Sequence, residues 1–304
     1  MDRTFIGIEI GGTKLQLVAG DGAGQIRRRW RAAVDPSRGS AGIRQQLQEF
    51  LPEVCAEKPQ AIGISFGGPV DRLSGRIARS HQVGGWEDFP LRDWMSEQSK
   101  LPVIVENDSN SASLAEATLG AGQGMTPVFY FDLGSGVGGG LVIDGKIYHG
   151  LPPGEAEFGH LLLDRSGSTV ESRCSGWALD RRIRQAAAGN PDGILAKLIG
   201  SSTGGESKEL NSALARHDPT ARDLLADLAD DLGFGLSHVV HLAHPAVIVL
   251  GGGLSLVGEV LRETVERAMR GYVMQAFAPG PPVRLAALGE DAVTTGALVL
   301  AGSM

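Results

Sequence analysis

Phe5-Ile6-Gly7-Ile8-Glu9-Ile10-Gly11-Gly12-Thr13-Lys14-Leu15-Gln16-Leu17-Val18-Ala19 is the stretch whose reading decides the fold. Phe5 to Ile10 is an apolar run of strand length, Gly11-Gly12-Thr13 interrupts it, and Lys14 to Ala19 alternates as a returning strand. This order predicts a hairpin closed by a glycine turn. It recurs farther on as Pro127 to Leu133, the turn Gly134-Ser135-Gly136, Gly138 to Ile143, the turn Asp144-Gly145, and Lys146 to Tyr148. Two halves that each begin strand, glycine turn, strand predict duplicated α/β lobes.

Outward from these hairpins, Gln25 to Ala32 adds a third antiparallel strand, and Ser40 to Ala56 carries Ile43, Leu47, Leu51 and Val54 at helical spacing. Ala61 to Phe66 and Pro102 to Glu106 read as strands. Asn107 and Asp108 then stand where capping residues open an alanine-rich helix that reaches Leu119. In the second half, Cys174 to Leu242 is mostly helical, and the strand Val247 to Leu250 runs into Gly251-Gly252-Gly253. Val283 to Ala287 and a helix from Asp291 follow. The expected division is an N-terminal lobe over 1–118, rejoined by the helix 291–304, and a C-terminal lobe over 119–290.

A chain of 304 residues is near the size at which one hydrophobic core stops growing, so two domains with a ligand-binding cleft between them are expected. Hydrophobic residues at 42% and charged residues at 21% are globular values. The 44 glycines are roughly double the usual share of about 7%, and they fall in short clusters after apolar runs, which implies tight turns. A net charge of −7 and a pI near 5.5 argue against nucleic acid or an anionic membrane as partner. Cys55 and Cys174 are the only cysteines, which argues against a disulfide framework or a cysteine-built zinc site and fits a reduced compartment. Charges at Asp2 and Arg3 come too early for a signal-peptide core, and no apolar run approaches about 18 residues. A cytoplasmic protein is expected.

Glycine has no Cβ and accepts positive φ, so the backbone N–H groups of Gly11-Gly12-Thr13 can approach a phosphate closely, and Thr13 adds a hydroxyl donor. Taken alone, such a turn reads more simply as a plain hairpin connection. With Gly134-Ser135-Gly136 and Gly251-Gly252-Gly253 in order along the chain, the three read as a clamp around a nucleotide. Asp108, at a strand-to-helix junction, can accept a proton from a hydroxyl nucleophile, and the helix N-terminus favours its ionised form. The alternative is a simple helix cap, which applies equally to Asn107. Glu157 and His160, three residues apart, can both make directional hydrogen bonds to a ligand, although a lone histidine is more often structural.

Ile8-Glu9-Ile10-Gly11-Gly12-Thr13-Lys14, Glu106-Asn107-Asp108-Ser109-Asn110, Gly134-Ser135-Gly136-Val137-Gly138-Gly139-Gly140, Glu157-Phe158-Gly159-His160 and Gly251-Gly252-Gly253 resemble, in order and spacing, the ROK family of sugar kinases and repressors. That family lies within the actin-like ATPase superfamily, and the resemblance spans essentially the whole chain. It implies an α/β fold of two actin-like (ribonuclease H-like) lobes with a central cleft. It also implies transfer of the γ-phosphate of ATP, with Mg2+, to a hydroxyl of a hexose or hexose derivative, usually the 6-position.

By the same resemblance Gly11, Gly12, Thr13, Lys14, Gly134, Ser135 and Gly136 hold the phosphates, Gly252 lies near the adenosine, and Glu9 is associated with Mg2+. Asp108 becomes the general base, and Gly68, Ser80, Asn107, Glu157, His160 and Glu171 contact the sugar. Trp86 aligns with a family tryptophan and reads as packing. A small sugar is the expected partner, with no nucleic acid and no membrane. Relatives often assemble, which leaves a homodimer or a homotetramer open.

Two departures stand out. Many members bind a structural zinc through three cysteines and the histidine of Glu-x-x-His, but here Thr169 replaces the last cysteine and Asp164 to Ser168 is too short for the others. No zinc is expected, and His160 is free of metal. Glu9 replaces the family's aspartate, and its extra methylene reaches about 1.3 Å farther at a carboxylate that positions hydrated magnesium. An alternative reading is therefore a catalytically weakened sugar-binding or regulatory member of the family. A repressor would need a helix-turn-helix ahead of a first strand that begins at Phe5, and a chaperone or filament ATPase would leave Glu157, His160 and Glu171 without a purpose.

Overall fold

The computed structural model describes residues 3–80, 82–152, 154 and 156–304; Met1 and Asp2, part of the signal-peptide reading, lie outside them. The chain begins β1 (Phe5–Ile10), β2 (Lys14–Gly20), β3 (Ile26–Ala33), α1 (Gly39–Ala56) and β4 (Ile62–Phe66). A small hairpin β5 (Val70–Asp71) and β6 (Arg76–Ile77), α2 (Leu91–Ser99), β7 (Val103–Asn107) and α3 (Asp108–Thr118) follow. Next come β8 (Val128–Leu133), β9 (Val137–Ile143), β10 (Lys146–Ile147), α4 (Val170–Cys174), α5 (Gly176–Gly189), α6 (Ile194–Ile199), α7 (Leu210–Ala215) and α8 (Pro219–Ala243). The chain ends β11 (Val247–Gly251), α9 (Glu259–Tyr272), β12 (Val283–Leu285) and α10 (Ala292–Gly302). Packing divides it into one compact unit of Met1–Gln123, Gly140–Ala156 and Glu290–Met304, and a second of Gly124–Gly139 and Glu157–Gly289. Among the described residues no helix is long and apolar enough to cross a membrane.

In the first unit the sheet order is β3-β2-β1-β4-β7. Strand β2 is antiparallel to β1 and β3, while β4 is parallel to β1 and β7. Side chains alternate across a strand, so Ile6, Ile8 and Ile10 enter a core with Ile43, Leu47 and Val54 of α1 and with Leu91 and Met95 of α2. Trp86 is fully buried in the same core, edge-on to Phe66 at 5.2 Å and to Phe89 at 5.4 Å.

The other face of this sheet is covered by α10 at backbone contact distance. Gly7 and Gly63 are register partners on β1 and β4. A Cβ on Gly63 would overlap the Ala297 carbonyl oxygen, and one on Gly7 would come 2.7 Å from that of Thr294. Gly296 lies in the same way against the Ser111 carbonyl of α3, with no room for a Cβ. The helix is thus wedged between sheet and α3 by glycines on both flanks.

The second sheet has the order β10-β9-β8-β11-β12. Strand β11 pairs in parallel with β8 and β12 and is buried along its whole length, as strands covered on both faces are. In the second unit Phe158 packs on Phe129 and Phe131 at 5.6 and 5.4 Å. Helix α8 opens with the Asp218 side chain accepting the Ala221 N–H and with Pro219 in its first turn. It meets α9 at Gly233, where a Cβ would lie 2.5 Å from the Met269 nitrogen.

Helix α2, the hairpin β5–β6 and α4 are elements that periodicity alone did not define: α2 buries only Leu91 and Met95, and the hairpin has two residues per strand. Gly63→Ala is expected to lower stability by about 1–3 kcal/mol, the cost of overpacking. Gly189→Ala, with nothing within 4 Å of the added carbon, is expected to stay within about 0.5 kcal/mol. Denaturant midpoints with unchanged slopes measure both.

Candidate functional site

In the first unit, Phe5 to Ile10 delivers the chain to the first glycine turn, where Gly11 N–H donates to the Lys14 carbonyl at 3.0 Å. Thr13 is exposed, and its carbonyl accepts the Val34 N–H at 3.0 Å. The parallel neighbour β4 ends in Phe66-Gly67-Gly68, and Gly67 N–H donates to the Ile10 carbonyl at 2.9 Å. A Cβ on Gly67 would lie 3.3 Å from Asp108 Oδ2 and 3.8 Å from the Gly11 Cα. Gly67 therefore keeps open a space bounded by the Asp108 carboxylate and the first glycine turn. Sequence reading passed over Gly67, although a glycine pair directly after a buried strand is a signal for close backbone approach.

Asn107 is the N-cap of α3, its side-chain oxygen accepting the Asn110 N–H, and Asp108 is the first residue of the helix. The Asn107 amide also donates to Asp108 Oδ1 at 3.2 Å and to the Gly68 carbonyl at 3.3 Å. Asp108 Oδ1 accepts the Ser109 N–H at 2.9 Å. Capping and site geometry are thus one network. Gly68 has φ 148, and a Cβ there would come 2.7 Å from the Arg79 carbonyl. Ser80 Oγ accepts the N–H of Val83 at 3.2 Å and of Gln82 at 3.4 Å. The Gln82 side chain occupies the place of a Cβ on Gly12, a neighbour that no local pattern announces.

Glu9, the penultimate residue of β1, pairs with Lys14 at 3.1 Å and accepts from Gln16 Nε2 at 3.3 Å. Burial raises the Glu9 pKa above its ordinary value, with Lys14 opposing the rise. Around this pair Arg29 meets Asp291 at 2.7 Å and Arg31 meets Glu290 at 3.6 Å.

In the second unit, Gly134 N–H donates to the Gly136 carbonyl at 3.0 Å, and Gly176 N–H donates to the Gly134 carbonyl at 2.8 Å. Gly252, at φ 78, lies so close to Leu133 that a Cβ would come 2.5 Å from its nitrogen. The second and third glycine stretches are therefore packed together. Beside them is a cavity of about 530 Å³ whose lining includes Ser135, Trp177, Lys208, Asn211 and Leu256. Trp177 and Leu256, 60% and 82% exposed, give this cavity an apolar wall open to solvent. Neither carried a motif in the sequence.

Val137 joins the second turn to the remaining residues of this unit. Its N–H donates to Glu171 Oε2 at 3.0 Å, and its carbonyl fills the place of a Cβ on Gly159, in the short turn Phe158–His160. Glu171 also lies 2.6 Å from where a Cβ on Gly136 would be. Glu157 and His160 are exposed, their side chains 3.9 Å apart. At the position of the missing last cysteine, the Thr169 side chain is engaged in a capping box with Ser172. The loop before it is closed by Leu163 N–H to Ser168 O and Val170 N–H to Leu161 O, at 2.7 and 3.0 Å, so these residues do not fit a cysteine-held zinc. Among the described residues no group of three or more His, Cys, Asp or Glu side chains is arranged to hold a metal.

The profile of the ROK family matches residues 5–303. A glucokinase of Halalkalibacterium halodurans is 31% identical over 97% of this chain and 94% of its own. The crystal structure of a ROK family glucokinase from Streptomyces griseus in complex with glucose and AMPPNP superimposes with a TM-score of 0.84 at 32% identity, covering 99% of this chain and 100% of that one. A ROK hexokinase from Thermus thermophilus superimposes with a TM-score of 0.81 at 31% identity, over 98% and 97%.

Because burial raises the Glu9 pKa above 4.5, the folded protein binds that proton more tightly than the unfolded chain. Glu9 thus supports folding below the unfolded value, and that support is lost as pH rises through the folded one. Glu9→Gln, neutral throughout, is expected to unfold at a higher temperature than the parent near neutral pH, with the gap closing on acidification. Thermal scans across pH test this, and a gap that widens in acid contradicts it.

Proposed function

Since the chain belongs to the ROK family and is an ATP-dependent sugar kinase with an actin-like fold, we propose that it phosphorylates the 6-hydroxyl of glucose, with Asp108 as general base. The observation that carries this is the Asp108 carboxylate, held on one oxygen by Ser109 N–H and the Asn107 amide, with the other oxygen turned toward the space that Gly67 keeps beside Gly11. Glucose as acceptor is supported by relatives named glucokinase and by the glucose held in the Streptomyces griseus structure.

Phosphoryl transfer passes through a loose transition state, so the protein acts by positioning and by stabilising charge. In this reading Asp108 takes the proton as the sugar oxygen attacks the γ-phosphorus and ADP departs. The fixed carboxylate keeps that oxygen in line. Backbone N–H groups of Gly12 and Thr13 and of Ser135 and Gly136 face the phosphates, while those of Gly11 and Gly134 close their own turns. The cavity beside Gly252 takes the adenosine, with Trp177 and Leu256 as apolar walls. Asn107, Gly68, Ser80, Glu157, His160 and Glu171 serve the sugar hydroxyls. Magnesium is ordinarily held by one or two carboxylates together with substrate phosphates, a pattern that the single carboxylate of Glu9 beside the first turn fits, and when bound it neutralises phosphate charge.

A second reading, a sugar-binding member with weakened chemistry, is favoured by one observation: Glu9 is already paired with Lys14 and its burial disfavours the charged form. An ADP-release assay with magnesium against hexoses, amino sugars and N-acetyl sugars, run beside calorimetry with sugar and nucleotide, separates the two; binding without turnover favours the second. Asp108→Asn is expected to fold normally and lose about 10²- to 10⁴-fold in kcat, the usual worth of a general base. Near-parental turnover would remove Asp108 from the reaction. Trp177→Ala is expected to raise KM for ATP about tenfold, the loss of one apolar wall of a ligand site, and to leave KM for the sugar unchanged in two-substrate kinetics.

A further inference from the structure

Glu106 is buried at the end of β7, 3% exposed, two residues before Asp108, and no step above uses it. An ionisable side chain in such a place is costly unless every lone pair is met. Here each oxygen has a partner. Oε1 accepts the Asn107 N–H at 2.9 Å and the Asn110 side-chain amide at 3.0 Å. Oε2 lies 2.6 Å from Nε2 of His149, whose side chain is 18% exposed. With a carboxylate as acceptor, His149 Nε2 is the donor.

These bonds close a cycle. Asn110 is held by its backbone N–H on Asn107 Oδ1 and by its side chain on Glu106, while the Asn107 N–H is held by the same Glu106 oxygen. The Asn107 amide, oriented in this way, reaches Gly68 and Asp108. His149 is the one member that comes from another part of the unit, just beyond β10. Its carbonyl lies against Gly154, where φ is 66 and a Cβ would come 2.5 Å from that oxygen. From there the chain continues to Glu157 and His160.

We infer that the Glu106–His149 hydrogen bond is a positioning device for the reaction: His149 orients Glu106, and Glu106 fixes the strand-to-helix junction that aims Asn107 and Asp108. Neither is a catalytic residue, since each acts through its neighbour. The inference rests on the reading of Asp108 as the reacting base. A pair that served stability alone would lower the unfolding temperature and leave the kinetics of folded enzyme unchanged. A positioning pair acts selectively on the sugar, because the groups it orients are Asn107, Asp108 and Gly68.

The test is two-substrate kinetics with glucose and ATP on His149→Ala, His149→Gln, Glu106→Gln and the double variant His149→Gln/Glu106→Gln, beside thermal unfolding of each. His149→Ala is expected to lower kcat/KM for glucose about tenfold to hundredfold, the usual cost of a small misplacement of reacting groups, with KM for ATP within about twofold. His149→Gln, whose amide nitrogen can stand where Nε2 stands, is expected to recover most of the loss. The double variant is expected to lose no more than the worse of its two single variants, as residues acting as a unit do.

Unchanged kcat/KM in a destabilised His149→Ala overturns the inference. So do a KM for ATP raised as much as that for glucose, a glutamine variant no better than alanine, or additive losses. If His149→Ala does not fold, the glutamine variants decide by the same criteria. The kinase reading fails differently: the parent enzyme would then release no ADP with any sugar.

Discussion

The Ala297 carbonyl oxygen of α10 sits where a side chain on Gly63 would have to be, and most of the first unit's geometry depends on that contact. A helix normally rides on a sheet at side-chain distance, and here glycines at register partners Gly7 and Gly63 let backbone meet backbone. The third glycine, Gly296, repeats the approach toward α3. Sheet, α10 and α3 are therefore locked at one separation. Interiors this dense do not deform continuously, so β1 and β7 deliver Glu9, the first turn and Asp108 in fixed relation within the unit.

On that frame, polar groups do the fine placement. At the end of β7, four consecutive or nearly consecutive residues, Glu106, Asn107, Asp108 and Asn110, hydrogen-bond one another, with only Asn110 Oδ1 buried among them without a partner. Such networks are rigid when complete and costly when incomplete. Capping a helix and aiming a carboxylate are accordingly the same act here: Asn107 caps with its oxygen and orients Asp108 with its nitrogen. The two readings that the sequence held apart for Asn107 and Asp108, cap or site, are compatible in the folded chain.

The second unit solves its own problem with another backbone hub. Val137 offers its N–H to Glu171 and its carbonyl to the glycine of the Glu157–His160 turn, which gathers the second glycine turn and three polar residues along one short stretch. The neighbouring loop is closed by a hydrogen-bonded hairpin from Leu161 to Val170 and a capping box at Thr169.

Fold class, family and the positions of the glycine turns were legible in the linear order, because alternation of apolar residues, glycine punctuation and capping chemistry act over a few neighbouring positions. Phe5 to Ala19 alone determined a strand, turn and strand, and Asn107-Asp108 determined a helix start. Tertiary structure decided what is distant in sequence: Gln82 against Gly12, Gly67 beside Asp108, Trp177 and Leu256 on one cavity, His149 on Glu106, and the return of Gly140–Ala156 to the first unit. The reason is physical. A contact between residues far apart along the chain depends on packing distances set by the whole unit, and neither partner's local sequence carries the signature of the other.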